Sequence, residues 1–162
     1  MQPNRPNKTS GPGVIRLAFA SGEHEVRVAL GRVQQDLLLT ALNSEDRGTI
    51  ELVLGEVLNN VVEHAYGPGR NGEIRLNCRV RATCVSCCVC DAGQAMQGLR
   101  LPVGNPPDLG CERDDLPEGG FGWFLVRSLA TGLQYRRRGD CNVFRFDIPL
   151  EQGGAKGGPI TG

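Results

Sequence analysis

The sequence predicts an α+β fold, a two-layer α/β sandwich in which helices lie on one face of a mixed, mostly antiparallel sheet. The first observation is that helical periodicity and strand alternation occupy separate segments, in the order β-α-α-β-β-loop-α-β-β. The second observation is the length of 162 residues, which is enough for one ordinary hydrophobic core. Together they predict one domain.

Three regions of the chain differ in composition. Residues 1–13 are polar and rich in Pro and Asn, which predicts a disordered tail. Residues 14–150 carry all the periodic segments and form the predicted domain. Residues 151–162 are rich in Gly and predict a flexible tail.

The first strand is predicted at residues 14–19, where an apolar run precedes turn residues. Ser21 can cap the helix that follows, because its hydroxyl can accept from a backbone N–H. Apolar residues recur at helical spacing after it, so we expect this helix over residues 23–42.

The second helix has the most regular apolar stripe in the chain. It is predicted to begin at a cap formed by Asn43 or Ser44, and the breaker Gly67-Pro68-Gly69 ends it. The stripe consists of Ile50, Val53, Leu54, Val57, Leu58, Val61 and Ala65.

The second half of the domain is predicted to contain four strands, one helix and one long loop. A strand with apolar residues on both faces is expected in the centre of the sheet. The loop carries four prolines and a charged patch, and a loop of this length is usually functional or disordered. The predicted bounds are 73–81 and 84–90 for strands, 94–118 for the loop, 121–130 for the helix, and 133–138 and 142–150 for a closing hairpin.

Four of the seven cysteines, Cys84, Cys87, Cys88 and Cys90, crowd into the predicted central strand. In a reducing compartment cysteine acts as a small hydrophobic residue, which makes structural thiols the favoured interpretation. A zinc site is the alternative, since Cys84 and Cys87 have ligand spacing, but no second pair follows at suitable spacing.

Composition narrows the functional classes. The formal net charge is zero and aromatic residues make up 5% of the chain, which disfavours direct nucleic-acid binding. No apolar run approaches the roughly 20 residues of a membrane span. The N-terminus lacks the apolar segment of a signal peptide, so a cytoplasmic location is expected.

Polar residues lie at the margin of the apolar stripe on the second helix. Glu56 and Asn60 are one turn apart and therefore share a face. A carboxylate there can act as a general base, and an asparagine oxygen suits a hard cation such as Mg²⁺. A solvated polar face is the alternative. His64 lies one further turn along, and a core or capping histidine is favoured there.

Asp91 and Gly93 follow the central strand. A turn aspartate before glycine is one interpretation. The functional one is a carboxylate that accepts a hydrogen bond from an exocyclic amine such as that of adenine. The glycine would let the backbone approach a flat ligand.

The glycine cluster Gly119-Gly120-Phe121-Gly122 precedes the third predicted helix. Free N–H groups and the helix dipole at such a terminus can bind phosphates. The cluster is not a Walker motif, because no Gly-Lys-Ser/Thr follows it.

These three segments resemble the motifs of the GHKL ATPases, the superfamily that includes gyrase and the histidine kinases. Glu56-x-x-x-Asn60-x-x-x-His64-Ala65-Tyr66 resembles the N box, Asp91-x-Gly93 the G1 box, and residues 116–128 the G2 box. Their combination resembles the anti-sigma factor serine/threonine-protein kinases of bacterial partner switching. The resemblance covers about residues 14–150 and implies the Bergerat, or GHKL, ATPase fold.

The resemblance also implies roles for individual residues. Glu56 would be the catalytic base, and Asn60 would ligate Mg²⁺ at the ATP phosphates. Asp91 would bind the adenine amine beside Gly93. Residues 97–118 would form an ATP lid. The glycine-rich segment of Gly119, Gly120, Phe121 and Gly122 would bind phosphates.

The implied function is phosphorylation of a STAS-domain anti-anti-sigma protein by a kinase that also binds a sigma factor, with a homodimer as the expected assembly. The stretch Gln94-Ala95-Met96 departs from the G1 pattern, which usually continues with another glycine or proline. Two alternatives follow. One is a non-catalytic, nucleotide-gated binding module, and the other is a detached histidine-kinase-like ATPase core.

Overall fold

A computed structural model describes residues 13–38, 40–106 and 120–151. Its five strands form one sheet in the order β1-β2-β3-β5-β4, with β3 in the centre as predicted. The strands are β1 Val14–Ala20, β2 Glu73–Val80, β3 Cys84–Asp91, β4 Thr131–Arg138 and β5 Cys141–Pro149.

All four neighbouring pairs are antiparallel, so the expectation of a mixed sheet is wrong for the described strands. The physical reason lies in the connections. Two successive helices join β1 to β2 and return the chain in the opposite direction. β5 lies between β3 and β4 and separates two strands that would otherwise be a parallel pair.

Three α-helices cover one face of the sheet: α1 Glu23–Leu38, α2 Ser44–Asn60 and α3 Gly120–Leu129. The α1 helix ends four residues before its predicted bound. Both the backbone N–H and the hydroxyl of Thr40 donate to the Leu37 carbonyl and close a turn there. The Ser21 hydroxyl, expected to cap α1, instead accepts from Gly72 N at 2.9 Å and ties β1 to the start of β2.

The α2 helix begins as predicted. Asn43 is the N-cap, and its Oδ1 accepts from Asp46 N at 2.7 Å. The predicted α-helix ends early at Asn60, because residues Val61–Tyr66 form a π-helical turn. Gly67 N donates to Val62 O at 3.0 Å and closes this turn with the wider π spacing.

The core lies between the helices and the inward face of the sheet. The apolar stripe of α2 is buried against alternate residues of β2, β3 and β5, which confirms the predicted periodicities. The Trp123 indole meets the Phe144 ring edge-on, with ring centroids 5.6 Å apart, which anchors α3 to the sheet.

The cysteines are divided between the two faces of the sheet. Cys78 and Cys87 face each other across β2 and β3, with sulfurs 3.1 Å apart in the core. Cys84, Cys88 and Cys90 face outward and are half-buried. Burial and the neighbouring Cys88 raise the pKa of the Cys90 thiol to about 11, so it stays protonated near neutral pH. Within the described residues no group of three or more His, Cys, Asp or Glu side chains could hold a metal ion.

The predicted tails lie outside the described residues except at their inner ends. The Gly13 carbonyl accepts from Val80 N at 2.7 Å, and Glu151 N donates to Asp46 Oδ1 at 2.9 Å. Part of the predicted 94–118 loop, residues 107–118, also lies outside them. None of the helices in the described ranges is long and apolar enough to cross a membrane.

Candidate nucleotide site

A cavity of about 610 Å³ lies between α2, the π-turn, α3, the C-terminal end of β3 and the N-terminal end of β5. This volume is within the roughly 300–1,000 Å³ range of small-molecule sites. Among the residues predicted for the site, Asn60, Asp91 and Gly120 line it directly. The sequence motifs therefore converge on one cavity.

Glu56 and Gly122 lie beside Asn60, which lines the cavity, although neither Glu56 nor Gly122 is itself a lining residue. Gly122 lies so close to Glu56 that a Cβ there would overlap the carboxylate oxygen Oε2. The same Cβ would lie 3.6 Å from Asn60 Nδ2. The absence of a side chain at Gly122 therefore lets the start of α3 approach both polar groups of α2.

The Asn60 side chain has a defined orientation. Its Nδ2 donates to the Glu56 carbonyl at 2.7 Å, one turn back on the same helix. The amide nitrogen is thereby occupied, and the amide oxygen is left for a ligand. Because Asn60 also lines the cavity, this oxygen is a candidate cation ligand.

The environment of Glu56 disfavours its charged form. Burial raises the pKa of the Glu56 carboxyl above its usual value, and the negative charge of Glu63 raises it further. A raised pKa makes the carboxylate a stronger base, as proton abstraction from a hydroxyl requires.

Asp91 also lines the cavity and is the last residue of β3. Its Oδ1 accepts from Gly93 N at 2.8 Å and from Asn142 Nδ2 at 2.7 Å. Burial raises the pKa of the Asp91 carboxyl, while the bonds from Asn142 and Gly93 and the nearby charge of Arg137 lower it in part. Two hydrogen bonds therefore hold this carboxylate, and the charge of Arg137 stabilises its ionised form.

Gly93 packs against the end of the α2 segment. A Cβ at Gly93 would lie 2.6 Å from the backbone carbon and oxygen of Ala65, which is closer than side chains tolerate. The next residue, Gln94, donates its N–H to the Ala65 carbonyl at 2.6 Å. The π-turn and the segment after β3 are thus joined directly, backbone to backbone.

The start of α3 contacts the first part of the predicted lid. Asn105 N donates to the Gly120 carbonyl at 3.1 Å, and a Cβ on Gly104 would lie 2.5 Å from Phe124 N. Gly104 has a φ of +76°, which favours glycine. Phe121 is 46% exposed and stacks on Phe124, with centroids 6.3 Å apart, and it is absent from the lining of the cavity. Gly119 lies outside the described residues.

His64 lines the cavity on the π-turn, and its side chain is 63% exposed. Its Nε2 lies 3.9 Å from Glu63 Oε2. This exposure contradicts a core histidine, whereas a capping role at the end of the helix stays a prediction.

Three polar residues of the site were missed by sequence reasoning: Tyr135, Arg137 and Asn142. Tyr135 and Asn142 also line the cavity. A signal for Asn142 was present. It occupies an inward position of β5, where the alternation otherwise places Phe144, Phe146 and Ile148, and a buried asparagine requires hydrogen-bond partners.

Comparison with known proteins agrees with this geometry. A family described as the histidine kinase-like ATPase domain matches residues 11–148. The chain belongs to this family. The match includes β1 to β4, all of β5 except Pro149, and every residue that lines the cavity.

Two curated proteins are similar in sequence. One is the serine/threonine-protein kinase BtrW of Bordetella bronchiseptica, 35% identical over 96 residues, covering 59% of this chain and 66% of the relative. The other is the serine-protein kinase RsbW of Halalkalibacterium halodurans, 32% identical over 133 residues, covering 81% of this chain and 72% of the relative. Both relatives are protein kinases.

A solved structure shares the fold. It contains the RsbU and RsbW domains of Rv1364c from Mycobacterium tuberculosis and aligns with a TM-score of 0.55 at 13% identity. The alignment covers 85% of this chain and 32% of that chain. The chain therefore spans about two thirds of the curated relatives and one third of the solved chain that it matches. The likeness confirms the α/β sandwich expected for a GHKL ATPase.

Proposed function

We propose that this chain is an ATP-dependent serine protein kinase and anti-sigma factor that phosphorylates a STAS-domain anti-anti-sigma protein. The observation that carries the proposal is that Asn60, Asp91 and Gly120 line one cavity, and that Glu56 and the start of α3 meet beside Asn60. Two curated relatives named as protein kinases support it.

Glu56 is proposed as the general base. Its carboxylate accepts the proton of the substrate serine hydroxyl while the serine oxygen bonds to the γ-phosphorus of ATP. The bond from that phosphorus to the β–γ bridging oxygen breaks, and ADP leaves with the electron pair. The raised pKa of the Glu56 carboxyl suits this proton transfer.

The phosphates are proposed to bind between α2 and α3. The N–H groups at the start of α3 point out of the helix and attract anionic oxygens. Asn60 Oδ1 would hold Mg²⁺, which neutralises phosphate charge when bound. The described residues provide no cluster of carboxylates there, and Mg²⁺ commonly takes its remaining ligands from phosphates and water.

The adenine is proposed to bind beside Asp91, with its exocyclic amine donating to the carboxylate. Gln94-Ala95-Met96 departs from the G1 pattern, but hydrogen bonds still fix the backbone of this segment beside Asp91. Gln94 N bonds to the Ala65 carbonyl at 2.6 Å, and Met96 N bonds to the Tyr135 hydroxyl at 3.0 Å. These bonds support a nucleotide site at this position despite the departure from the G1 pattern.

The test is phosphoryl transfer to a STAS protein encoded near this gene, followed by intact mass. The wild type is expected to add one phosphoryl group, and Glu56→Gln to add none while its ATP affinity is retained. Glu51→Gln is the matched control, because Glu51 is exposed on the same helix and should leave transfer unchanged.

The other outcomes of this test separate the alternatives. Retained transfer by Glu56→Gln would exclude Glu56 as the base. ATP binding without transfer to any STAS protein would favour a nucleotide-gated binding module. An acid-labile phosphoryl group would indicate transfer to histidine and a histidine-kinase-like core.

We also propose a cytoplasmic location, a sigma factor as second partner and a homodimer formed through the uncovered face of the sheet. The sheet carries helices on one face only, so its other face is open to a partner. Sedimentation of the full chain with and without a sigma factor tests both assemblies.

A further inference from the structure

The Asn142 side chain has all of its hydrogen-bonding capacity satisfied, although it is only 4% exposed. Its Nδ2 donates to Asp91 Oδ1 at 2.7 Å and to the Gln94 carbonyl at 2.9 Å. Its Oδ1 accepts from the Tyr135 hydroxyl at 2.7 Å and from Arg137 Nη1 at 2.8 Å. Acceptors therefore surround the nitrogen and donors surround the oxygen, which leaves one possible orientation for the amide.

This arrangement occupies one carboxylate oxygen of Asp91 and leaves the other available to a ligand. Both of its hydrogen bonds, from Asn142 and from Gly93 N, go to Oδ1. Among the described residues no hydrogen bond goes to Oδ2, and no buried side-chain oxygen is left without a partner. Oδ2 is consequently the oxygen that remains open to the cavity that Asp91 lines.

Two supports fix Asn142 from β4. Arg137 Nη1 also donates to the Gly93 carbonyl at 2.7 Å, so one guanidinium holds both Asn142 and the segment after β3. The Tyr135 hydroxyl donates to Asn142 and accepts from Met96 N at 3.0 Å. A single network therefore joins the Asp91 carboxylate to the backbone of residues 93–96.

We propose that Asn142 is a positioning residue that directs Asp91 Oδ2 into the cavity and thereby sets the preference for adenine over purines without an exocyclic amine. This inference rests on the proposed function, since it takes ATP as the ligand. Asn142 acts through Asp91. Tyr135 and Arg137 act through Asn142.

The test compares the affinities of ATP and of purine riboside triphosphate, which is ATP without its exocyclic amine, by equilibrium titration with Mg²⁺. A hydrogen bond to a charged group predicts that the wild type prefers ATP by roughly tenfold or more. In Asn142→Leu the preference should fall to near parity, because the carboxylate loses its fixed direction. If Asn142 only supports the fold, its substitution would weaken the binding of both nucleotides equally and leave the ratio of the two affinities unchanged.

Two further variants keep the test decisive if Asn142→Leu does not fold. Tyr135→Phe removes one bond to Asn142 Oδ1, and Arg137→Met removes the other. Each is expected to reduce the preference for ATP by a smaller factor than Asn142→Leu. Asn77→Leu is the matched control, because Asn77 is an exposed asparagine on the outward face of the same sheet and should leave the ratio unchanged.

Failure of this inference is distinct from failure of the proposed function. If the wild type prefers ATP and transfers phosphoryl groups while the folded variants keep the full preference, only the positioning by Asn142 is overturned. If the wild type binds both nucleotides equally, the contact between Asp91 and the amine is overturned as well. If the wild type binds neither nucleotide, the proposed function falls with it.

Discussion

Glu56 carries the pH dependence expected of the proposed transfer. Its folded-state pKa is raised, first by burial and then by Glu63. A base must be ionised, so the rate should rise with pH through a midpoint above the usual range of glutamate. Initial rates of STAS phosphorylation at saturating ATP measure this midpoint. Glu63→Gln should lower it, and a midpoint unaffected by that change would contradict the electrostatic assignment.

Gly122 gives a second test at the scale of one residue. In Gly122→Ala the new Cβ overlaps the end of the Glu56 side chain, which is flexible and can swing away. The fold should survive, while the displaced base reduces transfer by roughly 10²-fold. Transfer rates and thermal melting measure the two effects. Gly31→Ala, at an α1 position with open space, is the control and should leave transfer unchanged.

Sequence reasoning identified candidate residues where they belong to a spaced motif, and their roles stay predictions. Asn60 and Asp91 were identified, and the structure brings both to one cavity. Asn142 was not identified, because its partners come from β3 and β4 and no local spacing connects them. An asparagine at an inward strand position indicates a buried polar contact but does not reveal which contact.

The junction between β3 and the π-turn is a structural element in its own right. In Gly93→Ala the new Cβ would lie 2.6 Å from the Ala65 backbone. Backbone atoms cannot move aside as a flexible side chain can, so the two segments would have to separate. We expect a loss of roughly 1–3 kcal/mol in unfolding free energy, together with weaker ATP binding. Chemical denaturation and nucleotide titration measure both. Gly48→Ala, in an open α2 position, should instead stabilise the chain by about 0.5–1 kcal/mol.

The α2 helix depends on its N-cap. Asn43→Ala removes the acceptor of the Asp46 N–H bond, which should cost about 1 kcal/mol. The midpoint of urea unfolding measures the loss, and the slope should stay constant. Asn71→Ala, at an exposed position before β2, is the control, and an equal loss there would argue against the cap.

Helix and strand periodicities predicted most elements to within a few residues, but not the π-turn. The apolar residues of the stripe continue through Val61, so the pattern alone indicates an α-helix. The wider turn coincides with a tertiary contact, the bond from Gln94 N to the Ala65 carbonyl. A contact between segments that are distant in the chain is invisible to local periodicity.

At the scale of the whole molecule, the uncovered face of the sheet is basic. The exposed outward residues include Arg16, Arg75, Arg79, Arg136, Arg138 and Arg145, against the exposed Glu73 and the half-buried Asp147. Two copies that pair through this face bring like charges together, and salt screens that repulsion. We therefore expect dimer formation to strengthen as ionic strength rises. Sedimentation equilibrium at several salt concentrations tests this, and weaker association at high salt would place the interface elsewhere.

The overall architecture was predictable because the order of elements restricts the topology. The order placed helices on one face of a sheet with β3 in its centre, and the five-stranded sheet confirms this. The position of β5 between β3 and β4 was not predictable, because it depends on how the final hairpin turns back across the sheet.

The π-turn also limits how the length of this chain can change. A turn closed with π spacing holds about one residue more than an α-helical turn. Deleting one residue from Val61–Tyr66 would therefore leave enough chain for a regular helix, but it would rotate Ala65 away from Gln94 and His64 away from the cavity. We expect a chain with this deletion to keep the fold of the domain and to lose ATP binding.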